Sequence, residues 1–395
     1  MGSSHSAGGV EDVVTEDLHE KYVPVLHFAR GERFYPMPVE DFLGYCTLRT
    51  KGESAPLVGQ GGVVPSLLAR SYQREADVYL QSVPASLTDQ NVAARWGKDV
   101  LRALVDASCR TTHWQVGLAK VAYSWFGSKT QSATKLFWWN SLVMNLLEGG
   151  KRSSKDLPRL SLPPEIRQAA VENYERSQPS RPDYTYYYRT ARDEKYLCLQ
   201  YWFFYSYNDW ATGFGGMNDH EGDWEGMYIF FRLSPSGHPQ EPPAYVTYVG
   251  HHSRLTKPWG HRDVTLDGSH PVGYVAAGSH AIYPERKRYD LIEIYGLVDY
   301  ATGDGVTIEP GDWRQRVDLN AQRWTSSFLG TWGTRYWLSL SWARCVLGAL
   351  RTKADEIGLP AVSAPRGPRY SDDGRVRPNW TRAMAWVGIV DLERG

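Results

Sequence analysis

Met227-Tyr228-Ile229-Phe230-Phe231, entered through Asn218-Asp219-His220-Glu221-Gly222-Asp223-Trp224-Glu225, is the stretch on which the fold turns. The apolar run is β-branched and aromatic and stops at Arg232-Leu233-Ser234-Pro235, the pattern of a buried strand. Strand side chains alternate between faces, so Asp223 and Glu225 project to one side at the strand's entry and Trp224 to the other. Two carboxylates on one face, with His220 arriving from the preceding loop, repel unless a proton or a cation intervenes. Oxygen ligands with one imidazole suit a divalent ion such as Mg, Mn, Ca or Zn. The bland alternative is that both carboxylates cap backbone groups at a sheet end, since H-x-x-D-x-E matches no standard zinc or calcium spacing.

Histidine placement favours a site. Of 11 histidines, His220, His238, His251, His252, His261, His270 and His280 crowd into a 61-residue window that reads as consecutive strands. Strand ends from separate parts of that window could therefore converge. His280 follows Gly278-Ser279 just after the strand Val272 to Ala276, and His251-His252 follow Tyr248-Val249-Gly250 in the same way. Loops at strand ends are where a β scaffold presents functional groups. Each histidine on its own is more often structural. Serine catalysis is excluded as the leading idea, because Ser279 sits in no G-x-S-x-G elbow.

Outward from this centre, Tyr184 to Tyr188, Tyr196 to Tyr207 and Ala244 to Gly250 read as further strands at the spacing of a β-sandwich. Tyr22 to Phe28 is a short strand, Val39 to Leu43 a helical turn, and Gly59 to Gly62 a loop. Apolar residues at helical spacing predict helices over about 89–125 and 132–148, the second closed by Gly149-Gly150. Another helix opens at Pro163-Pro164-Glu165 with Ile166, Ala170 and Tyr174 as its buried stripe, and Tyr336 to Leu350 is predicted helical. Helices in blocks around a β centre give an α+β class: an antiparallel β-sandwich with peripheral helical insertions near 89–150 and 334–362. Residues 1–20 are expected to be disordered, and 21–395 to form one domain.

The chain has 395 residues, with Lys plus Arg equal to Asp plus Glu at 44 each. That balance gives no global attraction to nucleic acid or anionic membrane. Its 16 Trp and 25 Tyr fit a large core or a pocket for a hydrophobic or carbohydrate ligand. The start of the chain lacks the apolar stretch of a signal peptide, and no run approaches 18 apolar residues. Cys46, Cys109, Cys198 and Cys345 form no C-x-x-C pair. The expectation is a cytoplasmic protein, with peripheral membrane contact allowed and no transmembrane segment.

Ordered blocks along the chain resemble the vacuolar protein sorting 62 family. They are Tyr22-x-Pro24-x-Leu26-x-Phe28 with Glu32 and Phe34-Tyr35-Pro36, then Gln200 to Tyr205 with Asn208-Asp209, then Asn218 to Glu225. His270-Pro271-Val272 through Gly278-Ser279-His280-Ala281, Gly330-Thr331-Trp332-Gly333 and Pro365-Arg366-Gly367-Pro368 complete them. Residues 219–225 are also distantly similar to the Gly-His-Arg-His-Asp-Trp-Glu signature of the necrosis- and ethylene-inducing-like proteins, secreted cytolysins with a β-sandwich fold. In that family the first His, the Asp and the Glu help hold a divalent cation used in docking on sphingolipid headgroups. The resemblance places those roles on His220, Asp223 and Glu225, with Asp209 as a further upstream ligand. This chain lacks the second His of the signature.

Two functions follow as expectations. The first is an intracellular divalent-metal-dependent enzyme of hydrolase or lyase type, acting on a hydrophobic or lipid-like small molecule. Glu225, His252 and His280 are its candidate catalytic groups, and His220, Asp223, Glu225 and Asp209 its metal ligands. The second is a cation-dependent protein that binds a membrane headgroup or glycan.

Overall fold

The computed structural model describes residues 17–70, 77–88, 162–178, 182–215, 219–250, 253–292, 297–339, 356–358 and 364–393. The predicted helices over 89–125 and 132–148 and most of 334–362 lie outside these residues, as do His251 and His252.

In chain order the strands are β1 (Val25–His27), β2 (Thr47–Thr50), β3 (Val78–Gln81), β4 (Thr185–Arg192), β5 (Tyr196–Asn208) and β6 (His220–Arg232). There follow β7 (Tyr245–Gly250), β8 (Ser253–Pro258), β9 (Leu266–Asp267), β10 (His270–Val275), β11 (Ile282–Tyr283) and β12 (Lys287–Ile292). Then come β13 (Leu297–Ala301), β14 (Thr307–Ile308) and β15 (Gln315–Asp318). The helices that matter here are α1 (Val39–Tyr45), α2 (Pro164–Ser177), α3 (Trp210–Phe214) and α4 (Pro378–Thr381).

A six-stranded sheet runs β15-β4-β5-β6-β7-β8, and a five-stranded sheet runs β11-β10-β1-β14 with β9 beside β10. Sheets with some helices make the chain α+β, as the sequence predicts. The antiparallel pattern holds from β4 through β8. It fails at two pairs: β15 lies parallel to β4, and β10 parallel to β1. Both pairs join segments far apart in the chain, and such pairing carries no short-range sequence signal.

The central pair, β5 and β6, stays in register from Tyr196↔Arg232 to Asn208↔His220. Every residue of β5 is buried, so both faces of the sheet are covered. Alternation sorts them. Cys198, Trp202 and Phe204 join Trp224, Tyr228 and Phe230 on one face, under Phe42 of α1, Ile166 of α2 and Trp380 of α4. Leu199, Tyr201, Phe203 and Tyr205 join Met227, Ile229 and Phe231 on the other, where they meet Leu26, Val275, Ile282 and Ile308 of the five-stranded sheet. Each such buried side chain contributes about 1.5–3 kcal/mol. Removal of water from both faces is what makes the strand ends rigid supports.

The helix at Pro164 opens with proline in its first turn and buries Ile166, Ala170, Val171 and Tyr174, the expected stripe. Three local expectations change. The strand expected at Met227 begins seven residues earlier, so His220 lies in β6 rather than in the preceding loop. Residues 17–21 form a helical turn with Leu18 and His19 buried, where the composition predicts no order. Residues Trp337–Ser339 are extended, where the periodicity predicts helix. Among the described residues, no helix is long and apolar enough to cross a membrane.

Candidate functional site

The acid-rich entry of β6 meets two other segments at one place. One is the loop after β1, carrying Glu32. The other is the turn between β10 and β11, carrying Gly278, Ser279 and His280. That turn is tight: His280 N–H donates to Ala276 O at 3.1 Å, and Ala276 N–H to Ala281 O at 2.9 Å. His280 takes a left-handed φ of 56° and Gly278 a φ of 70°. Histidine tolerates that region better than most residues, and glycine enters it freely. A Cβ on Gly278 would stand 2.5 Å from the Phe214 ring and 2.7 Å from Oδ1 of Asp209, so glycine is also required by space. Ser279 Oγ and Tyr283 OH donate to the two oxygens of buried Asp299, at 2.8 and 2.7 Å, and fix the turn from behind.

His280 is fully buried, its ring stacked on Tyr205 at 3.8 Å between centres and 1° between planes. Its Nδ1 donates to Oδ2 of Asp223 at 3.0 Å. Its Nε2 lies 3.6 Å from Oε1 of Glu32, an ion-pair separation longer than a hydrogen bond. Burial alone would lower the imidazole. The charge of Glu32 and the contacts with both carboxylates outweigh it and raise His280 to about 10. Both carboxylates move the other way. Burial disfavours ionised Asp223, but the His280 hydrogen bond and the charges of His220 and His280 hold it below the usual carboxylate range. Glu32, also buried, is held low by His280 and by backbone N–H groups, those of Phe34 and Gly278 at 3.0 and 2.9 Å. At neutral pH the centre is an imidazolium between two carboxylates.

Asp209 completes the cluster. Burial first, then the charge of Glu32, raise it to about 6, while Arg167 of α2 opposes the shift. Both Nε and Nη2 of Arg167 reach Oδ2 at 2.7 Å, and Oδ1 is buried without a hydrogen-bond partner. The hydroxyl of Tyr205 is likewise buried without one. Burial, then the charges of Glu225, Asp223 and Glu32, push that phenol well above its ordinary range.

The expected ligand set is not assembled. Among the described residues, no group of three or more His, Cys, Asp or Glu side chains is arranged to hold a metal ion. Asp223 spends Oδ2 on His280 and Asn208, and Oδ1 on the Trp224 N–H at 3.0 Å. Asp209 faces Arg167. His220 turns Nδ1 to the carbonyl of Gly222 at 2.9 Å, so that nitrogen carries the hydrogen. His280 stands as counter-charge to Asp223 and Arg167 to Asp209. Asp223 and Trp224 do take opposite faces, and Trp224 packs among Tyr187, Phe204, Trp324 and Trp332. His280 and Asp223 are brought together; His252 lies outside the described residues.

Two acids of the same motif are structural. Glu221 accepts from Ser82 N and Oγ at 2.6 and 2.7 Å, Val83 N at 3.1 Å and Thr334 N at 2.8 Å. Asp219 accepts from Ala211 N at 3.0 Å and Leu162 N at 3.2 Å. Gly222 makes this split feasible: at φ 61° it turns the strand, and a Cβ there would stand 2.2 Å from Trp332 O. Spacing alone gave no role to Glu32, Asn208 or Tyr205, although all three stand in the blocks quoted for the family resemblance.

No family model matches the chain, so the vacuolar protein sorting 62 resemblance gains no support there, and no curated protein matches it. Among solved structures, the chain is similar in part to Necrosis and Ethylene inducing Protein 2 from the causal agent of cocoa's Witches Broom disease. The identity is 16% and the TM-score 0.24, over 36% of this chain and 56% of that one. It is similar to NLPPya in complex with glucosamine at 12% identity and TM-score 0.25, over 42% and 68%. A non-toxic HaNLP3 protein gives 11% and 0.24, over 36% and 56%. This chain thus spans little more than half the length of the first of these proteins, whose family is the second of the two likenesses drawn from the sequence.

Proposed function

We propose that this chain, on a two-sheet scaffold of sandwich type, is a binding protein for a polar ligand bearing hydroxyl and amine groups. The ligand is a glycan or a lipid headgroup, held at the entry of β6. The observation that carries this reading is the clamped state of His280. Already protonated and held between Asp223 and Glu32, it has no lone pair to act as a general base near neutrality. What the cluster offers instead is fixed negative charge. The inner members, His280 and Asp209, are wholly buried, whereas His220, Asp223 and Glu225 keep 7%, 6% and 9% exposure, so the approachable rim is the β6 side. Carboxylates accept hydrogen bonds from hydroxyl and ammonium groups, and charge-assisted bonds of that kind are the strong ones.

The test is calorimetric titration with glucosamine, glucose and N-acetylglucosamine, each in magnesium, in calcium and in EDTA. Saturable glucosamine binding, weakened about tenfold or more in Glu225→Gln, is expected. Binding retained in EDTA would make the cation dispensable; binding lost there would restore a cation to the site. Absence of saturable binding by sugars and by headgroup-bearing vesicles, together with turnover of a metabolite in cell extract, would return the enzyme reading to first place.

A further inference from the structure

On the face of the six-stranded sheet opposite the acid cluster, the C-terminal segment lays Trp380 against Trp202 of β5. Two guanidinium groups stand on that indole: the Cζ of Arg189 lies 4.6 Å from a Trp380 ring centre, and that of Arg369 lies 5.8 Å. Arg377 enters the same neighbourhood, donating to Tyr370 O at 2.9 Å and Gly367 O at 3.4 Å. Arg189 meets only neutral acceptors, Asn320 Oδ1 at 3.1 Å and Gln200 Oε1 at 3.4 Å. Among the described residues, none of the three has a carboxylate at ion-pair distance. Nε of Arg369 is buried and has no acceptor among the described residues.

This departs from how the molecule treats its other arginines. Arg375, two residues from Arg377, pairs with Asp373; Arg232 pairs with Glu393, Arg316 with Glu20 and Arg167 with Asp209. Burial first, and the charge of Arg369 with it, disfavour the charged form of Arg189, against the opposing influence of Cys198, Tyr228 and Asp318. Like charges gathered against an aromatic ring with a buried, unanswered N–H need a negative partner. Guanidinium forks match tetrahedral oxyanions and bind them by two parallel N–H···O bonds.

We propose that Arg189, Arg369 and Arg377 form a binding site for a phosphate-type oxyanion, separate from the β6 site and independent of it. The group can arrive as free phosphate or on a phospholipid headgroup, and the experiment separates these. Full-length protein is titrated with inorganic phosphate by calorimetry, and mixed in parallel with vesicles of phosphatidylcholine with and without phosphatidic acid. Wild type, Arg369→Met, Arg189→Met, Arg189→Lys and the paired-arginine control Arg375→Met are compared, with circular dichroism reporting the fold.

Saturable phosphate binding, weakened at least tenfold in Arg369→Met and unchanged in Arg375→Met, is expected and identifies the free anion. Recruitment by phosphatidic acid alone, lost in the same variant, supports the site with a headgroup as its source. Arg189→Lys keeps the charge and gives a folded variant should Arg189→Met fail to fold; it should bind more weakly because the fork is lost. No binding to either probe overturns the proposal, as does equal binding by wild type and Arg369→Met, or an effect that sodium chloride reproduces at equal ionic strength.

Discussion

His280 shows how much one side chain can hold together. It stands as the shared counter-charge of Asp223 and Glu32, stacks on Tyr205, and closes the β10–β11 turn in a left-handed conformation. Removing one partner of a buried ion cluster leaves the other charges uncompensated, at a cost of about 3–5 kcal/mol. His280→Asn is the informative replacement, because asparagine accepts the left-handed φ and so removes the charge and the ring stack without adding backbone strain. Urea unfolding should show a loss of that size. A loss near zero would mean that Asp223 and Glu32 find other counter-charges, and the imidazolium account of the centre would fail.

At the scale of the element, β6 carries structural and candidate binding residues in alternation, and substitutions should separate them. Trp224 fills the space between Phe204, Trp324 and Trp332, so Trp224→Ala should cost about 3–5 kcal/mol. Glu225 keeps an exposed edge, and Glu225→Gln should change the unfolding midpoint little while weakening ligand binding. Glu221→Gln behaves as the tryptophan does: its amide N–H₂ replaces one carboxylate oxygen and faces at least the Thr334 N–H, donor against donor, and should cost about 2–3 kcal/mol, read by the same urea titration. A Glu225→Gln protein as unstable as Trp224→Ala would make that carboxylate structural.

This strand also shows what was legible in the sequence. The apolar run, the opposite faces of Asp223 and Trp224, and the opening of α2 at Pro164 all follow from local pattern, and the structure has them. The partners do not. Gly278 N–H reaches Glu32 across 246 positions, and Ser82 reaches Glu221 across 139. No periodicity carries such distances, so a motif that reads as one acidic site divides into a clamp, a cap and an ion cluster. The acidic charge on β6 was legible, but its pairing with His280 was not, because His280 comes from another sheet.

At the scale of the whole molecule, the N-terminal turn lays His19 against the six-stranded sheet. It is buried against Tyr188 and Tyr201, with ring centres 4.5 and 5.1 Å away, and its Nε2 meets Thr190 Oγ1 at 3.1 Å. Burial first, then the charge of Arg316, lower its imidazole to about 3; Arg316 itself is paired with Glu20. The folded state therefore keeps His19 neutral where the unfolded chain protonates it, near the ordinary value of about 6.5. Its contribution to stability is whole above about 6.5 and is lost as the pH falls toward 3. The turn that carries His19 precedes β1, which lies between β10 and β14 in the five-stranded sheet. Unfolding free energy measured from pH 7.5 to 3.5 should fall more steeply in wild type than in His19→Gln. The difference in slope should approach one proton, roughly 1.4 kcal/mol per pH unit. The variant should start lower at neutral pH, having lost its ring packing, and the two curves should converge with acid. Parallel curves would show that the acid limb belongs to the carboxylates of the β6 cluster alone and that His19 titrates as it does in the unfolded chain.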